Sequence, residues 1–125
     1  MKTVVLLYNF QDKLRKDQIK RILLLQHLAI KEIPKEEYLN PIGIYAGAEG
    51  VTASEDKYDG EELDGEMLIF AGLSGEQIDQ VLAGFRKNKL QKVNYKAVLT
   101  PTNQFWNALQ LFEELRKEHE SFQKK

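Results

Sequence analysis

The chain has 125 residues and a formal charge of −1, with 42 % apolar and 30 % charged residues, proportions that exclude a disordered or collagen-like chain. It contains no cysteine, which excludes thiolate nucleophiles, Cys-ligated zinc, iron–sulfur clusters and disulfides. The near-neutral charge argues against an obligate nucleic-acid or anionic-membrane binder.

Val4–Tyr8 is a short, continuous apolar run. A secretory core needs about 7–15 apolar residues and a membrane span about 20. The expectation is therefore a single α/β domain over residues 1–125, in the cytoplasm, with no membrane contact. Continuous rather than alternating apolar character suits a strand covered on both faces. A helix is expected from about Phe10 to Leu25, capped by Asn9, with Ile19, Ile22 and Leu23 turned inward. Ala29–Ile33 mixes Lys31 and Glu32 with isoleucines, which suits a sheet edge where charge discourages unwanted pairing.

The long segment Pro34–Glu66 decides the topology. Pro41–Ala46 is a candidate short helix. From Glu49 to Glu66 the chain is acidic, with Lys57 its sole cation, and reads as a flexible, solvated flap. Its glycines do not fit a calcium loop: aligned on Gly60, loop position 3 is Lys57, and aligned on Gly65, position 1 is Gly60.

Met67–Ala71 is a second continuous apolar strand. Ser74 and Gln77 have capping-box spacing and start a helix over about Gly75–Asn88, where Ile78, Val81, Leu82 and Phe85 fall on one face. Between Ala83 and Val98 the charge reverses: Arg86, Lys87, Lys89, Lys92 and Lys96 occur with no acid. Ala97–Leu99 is the last strand. Thr100-Pro101 then places proline at a first helical position, for a helix to about Ser121 whose stripe is Phe105, Ala108, Leu109, Phe112, Leu115 and His119. Trp106 falls off that stripe.

These elements predict a four-stranded parallel sheet, order 2-1-3-4, with helices on both faces. The alternative is a ferredoxin-like βαββαβ sheet with an added C-terminal helix. In the parallel arrangement Asn9, Ser74, Thr100, Thr102 and Asn103 share one edge of the sheet, with Trp106 beside them. Helix N-termini there would favour a small anion, with Lys96 the nearest cation along the chain. The competing reading is that these residues only cap helices.

Nucleotide loops are absent: Gly43, Gly47 and Gly50 form neither a dinucleotide nor a P-loop pattern. Gly72-Leu73-Ser74-Gly75-Glu76 lacks the final glycine of a nucleophile elbow. No second histidine stands at metal spacing from His119. No catalytic residue, metal or cofactor is expected. The leading functional expectation is a non-catalytic binding or protein-interaction domain; the alternative is an enzyme, or enzyme subunit, acting on a small anionic ligand. Self-association through Tyr45, Trp106 or Phe122, or a protein partner, fits the first. Nucleic-acid contact through Arg86, Lys87, Lys89 and Lys92 is opposed by the acidic segment.

Four strings carry a family resemblance: Val5-Leu-Leu-Tyr-Asn-Phe10, Tyr38-Leu-Asn-Pro-Ile-Gly43, Met67-Leu-Ile-Phe-Ala-Gly-Leu-Ser74 and, most specifically, Lys96-Ala-Val-Leu-Thr-Pro-Thr-Asn103-x-x-Trp106. The chain resembles small bacterial proteins grouped as a domain of unknown function. That resemblance implies a free-standing domain in bacterial cytoplasm and marks Thr100–Trp106 as a signature segment. It brings no activity, cofactor or catalytic residue.

Overall fold

The structure is a computed structural model that describes the backbone of residues 2–123 and the side chains of residues 2–121. The Phe122 side chain lies outside the described residues. Strands β1 (Val4–Tyr8), β2 (Ala29–Ile33), β3 (Met67–Ala71) and β4 (Tyr95–Val98) form one sheet in the order β2-β1-β3-β4. Helices α1 (Lys13–Leu25), α2 (Gly75–Lys87) and α3 (Ala108–Gln123) complete it, with 3₁₀ turns at Lys35–Glu37, Ile42–Ala46 and Asn103–Phe105.

The strand order is the expected one, but the sheet is mixed rather than parallel. β1 pairs parallel with β2, and β3 with β4, while β1 and β3 run antiparallel, from Val4 opposite Ala71 to Tyr8 opposite Met67. Nor is the sheet ferredoxin-like, since each βαβ unit pairs its own two strands. The cause lies in the long segment. It leaves β2 at Ile33, which is level with Tyr8, and enters β3 at Met67, also level with Tyr8. It therefore starts and ends at one end of the sheet, and a strand entered there must run backwards.

Two βαβ units thus meet back to back at the β1–β3 seam. A right-handed connection, the near-universal choice for such units, then sends both crossover helices to the same face. Val5, Leu7, Leu68 and Phe70 pack there against Ile19 and Leu23 of α1 and Val81 and Phe85 of α2. Gly84 permits the approach of the two helices: a Cβ on it would come 2.9 Å from Cγ2 of Ile22. On the other face Leu6, Tyr8, Met67 and Ile69 pack under Tyr38, Ile42, Leu63 and the α3 residues Leu111 and Phe112. Fully burying each such apolar side chain contributes roughly 1.5–3 kcal/mol. The continuous apolar runs of β1 and β3 are explained by cover on both faces, and they carry no information about strand direction.

The long segment is tied down at several points. Lys35 donates to the Gly60 carbonyl at 2.7 Å, the Tyr58 amide to Glu36 O at 2.9 Å, and the Ser54 amide to Asn40 Oδ1 at 2.8 Å. Leu63 is buried in the core. Near its end Arg15 of α1 holds both carboxylate oxygens of Glu66 through Nε at 2.9 Å and donates to the Gln91 carbonyl at 2.6 Å. The acidic and basic stretches of the sequence meet at this arginine.

As expected, β2 is a sheet edge, and its Glu32 is held by Lys16 at 2.9 Å and Lys20 at 2.6 Å. Those ammonium groups, Lys20 foremost, hold the Glu32 carboxyl below its usual range.

Candidate functional site

The antiparallel seam divides the predicted site. Asn9 follows β1 and Ser74 follows β3, so they lie at opposite ends of the sheet. The shared anion-binding edge does not form.

Asn9 is not a helix cap. α1 starts three residues later, with Asp12 as cap: its Oδ1 accepts from the Arg15 amide at 3.2 Å. Asn9 instead adopts a left-handed backbone, φ 63°, which asparagine tolerates better than most residues. Its Nδ2 donates to the carbonyls of Leu63 at 2.9 Å and Gly65 at 3.2 Å. It fastens the end of the long segment to the end of β1.

Ser74 is the expected cap of α2. Its Oγ accepts from the Gln77 amide at 3.1 Å, and Gln77 Oε1 accepts from the Ser74 amide at 2.8 Å. Both side chains are spent in the capping box.

The other four candidates come together. Thr100, Thr102, Asn103 and Trp106 line a groove of about 310 Å³ between β4 and α3. The expected helix start at Pro101 is a 3₁₀ turn instead, and α3 begins only at Ala108. A second reciprocal pair explains the late start: the Gln110 amide donates to Asn107 Oδ1, and the Asn107 amide to Gln110 Oε1, both at 2.9 Å. Phe105 consequently leaves the predicted stripe and is 54 % exposed, whereas Trp106 packs against the core.

Within the 3₁₀ turn the polar groups bond one another. Asn103 Oδ1 accepts from the Thr100 amide at 2.8 Å, Asn103 Nδ2 donates to the Val98 carbonyl at 3.0 Å, and Thr100 Oγ1 accepts from the Asn103 amide at 3.0 Å. These donors are not aimed at a ligand. The remaining groove has Leu111 and Leu115 as apolar wall and a charged rim of Glu114 and Glu118 from α3 with Lys96 from β4. An adjoining groove of about 300 Å³ shares Trp106 and Glu114 and adds Glu113, which is paired with Arg116 at 2.6 Å. His119 stands edge-on to Tyr95, ring centroids 5.5 Å apart.

Sequence reasoning missed a cleft on the opposite face of β4. Leu82, Phe85, Leu90 and Val93 line about 330 Å³ together with Arg86, Lys92 and Lys96. The acid-free basic run was its signal. Burial, and behind it the charge of Lys92, lowers the pKa of Lys96.

A buried tyrosine cluster forms near the β1–β2 end. Tyr38 donates to Glu62 at 2.6 Å, and Tyr45 to Glu37 at 2.9 Å. Burial, with these carboxylates, raises both phenols well above their ordinary value, Asn40 partly offsetting the effect at Tyr45. Tyr8, 1 % exposed, is raised for the same leading reason. Tyr45 is thus a half-buried, hydrogen-bonded residue rather than a free apolar contact.

Residues 66–122 match a family described as "Domain of unknown function (DUF3783)". The matched span runs from the start of β3 through α3 and includes both β4 clefts. No curated protein and no solved structure matches the chain. Among the described residues no helix is long and apolar enough to cross a membrane.

Proposed function

We propose that the chain is a cytoplasmic, non-catalytic interaction module that holds a cationic segment of a protein partner in the groove between β4 and α3. One observation carries this reading. Trp106 lines two adjoining grooves, and in one of them it stands with apolar Leu111 and Leu115 and with the carboxylates of Glu114 and Glu118, which outnumber the Lys96 ammonium. An aromatic face beside carboxylates suits a guanidinium or ammonium group, through cation–π attraction and charge together. The alternative, chemistry on a small anion, is disfavoured at this place. The Thr100 and Asn103 amides and Asn103 Nδ2 are already bonded, and an anion would face two carboxylates against the single ammonium of Lys96.

Trp106 is the sole tryptophan, so its emission reports on the groove directly. Titration with a short Arg/Leu peptide is expected to shift that emission saturably, and an Asp/Leu peptide to leave it unchanged. Glu114→Gln combined with Glu118→Gln should weaken the Arg/Leu peptide by about tenfold, the equivalent of about 1.4 kcal/mol. An unchanged spectrum, or the same affinity after both substitutions, would refute the reading. Light scattering alongside the titration reports whether a second copy of the chain occupies the groove instead.

A further inference from the structure

We propose that the cleft between α2 and β4 is a separate binding site for a small amphipathic carboxylate, a ligand with a compact apolar body and one anionic head. The cleft is built by the exit from α2. After the cap residue Asn88 the chain turns through Lys89 in a left-handed conformation, φ 54°. The Lys89 amide then donates to Arg86 O at 3.0 Å and the Leu90 amide to Phe85 O at 2.9 Å. This reversal folds the residue after the turn back toward the last helical turn, the usual apolar contact of such an ending. Here it sets Leu90 near Phe85, and Val93, 2 % exposed, closes the floor.

The charges around this apolar space are of one sign. Arg86, Lys92 and Lys96 border it, and among the described residues none of the three pairs with a carboxylate. Arg15, by contrast, has Glu66. Lys96 is half-buried, and its Nζ donates to the Val93 carbonyl at 2.5 Å, one of the cleft's own walls. Burial first, and the neighbouring charge of Lys92 second, lower the basicity of Lys96. An anionic head placed there removes the repulsion between Lys92 and Lys96.

Size and wall chemistry select the ligand class. A space of about 330 Å³ lies at the small end of the roughly 300–1,000 Å³ typical of ligand sites. An inorganic anion would leave Leu82, Phe85, Leu90 and Val93 wet, and a neutral hydrocarbon would leave the cations uncompensated.

The test is an amide NMR titration of the full chain with octanoate. Octanol and inorganic phosphate serve as the two controls that each lack one half of the ligand. Octanoate is expected to shift the amides between Leu82 and Lys96 saturably, and each control to bind at least tenfold more weakly. Trp106, across β4 from this cleft, should keep its emission when octanoate binds; Lys96 borders both spaces, so Lys92→Gln is the variant that should weaken octanoate and spare the proposed peptide groove. Lys92→Gln and Lys96→Met, each checked for an intact amide spectrum, should cost octanoate about tenfold or more. Three results would overturn the proposal: no shift in this stretch, equal binding of octanol, or full retention of octanoate affinity in both variants.

Discussion

Asn9 offers the sharpest test of the architecture, because the sequence suggests a helix cap and the structure assigns it another task. Its Nδ2 bridges the carbonyls of Leu63 and Gly65 from a partly buried position, and its backbone sits at φ 63°. Asn9→Ala removes both bonds, with the exposed one that Gln11 Nε2 donates to Asn9 Oδ1 at 2.7 Å and that water can replace, and puts a less tolerant residue in the left-handed region. Two hydrogen bonds at about 1 kcal/mol each, plus about 1 kcal/mol for the backbone, give a loss of about 2–3 kcal/mol after allowing for water reaching one carbonyl. Asn9→Gly loses the same bonds but accepts the backbone conformation, so it should cost about 1 kcal/mol less than alanine. Urea unfolding of the three proteins supplies the measurement, read as shifts in midpoint at constant slope. A cost for alanine below about 0.5 kcal/mol, or a glycine variant as unstable as the alanine one, would refute the tether. A cap interpretation makes a different prediction: glycine, a fair capping residue, would then cost only a few tenths of a kcal/mol.

Two further outcomes follow from backbone conformation and burial. Gly72 has φ 73°, and a Cβ there would stand 2.7 Å from the Lys2 carbonyl oxygen; Gly72→Ala should destabilise by more than about 1 kcal/mol, measured by the same unfolding assay. The phenols of Tyr8, Tyr38 and Tyr45 are raised by burial, so the folded chain holds protons that the unfolded chain releases near pH 10. Stability from this source is complete below about pH 10 and falls above it; absorbance titration at 295 nm should show these tyrosines ionising only with alkaline unfolding, and their ionisation in the folded state near pH 10 would contradict the burial.

Three strands are legible to the residue in the sequence because burial on one or both faces leaves an uninterrupted or edge-charged run. β4 is shifted by two residues at its start, since Tyr95 and Lys96 are half-buried edge positions whose polarity does not read as strand. Helix starts are ambiguous wherever two capping residues lie close together. Asn9 and Asp12 compete for α1 and Asp12 wins, while Thr100 and Asn107 compete for α3 and Asn107 wins. The losing residues serve elsewhere: Thr100 closes the 3₁₀ turn before α3, and Asn9 ties the end of the long segment to β1. The direction of β3 was not legible, because an apolar run covered on both faces looks the same reversed. The grouping of the site residues depended on that direction. Caps follow strands in either topology, so their presence could not reveal that Asn9 lies apart from Ser74 and Thr100.

The reversed seam also determines what the two edges of the sheet can do. With α1 and α2 on one face, the other is left to the long segment and α3. The β2 edge carries Glu32 bound by two lysines, a guarded edge of the kind that resists pairing. The β4 edge has Val98 45 % exposed and a cleft on each face. Those clefts differ in charge balance: Glu114 and Glu118 of α3 border one, with Lys96 reaching it from β4, while Arg86, Lys92 and the same Lys96 border the other. On the two proposals made above, one strand separates a groove for a cationic segment from a cleft for a carboxylate. Antiparallel association of two copies through β4 would bring α3 beside α3 and α2 beside α2, setting acid against acid and base against base. Like charges brought together in this way oppose self-association, so light scattering at two concentrations is expected to show no association through β4, and a dimer lost on changing the β4 edge would contradict this argument.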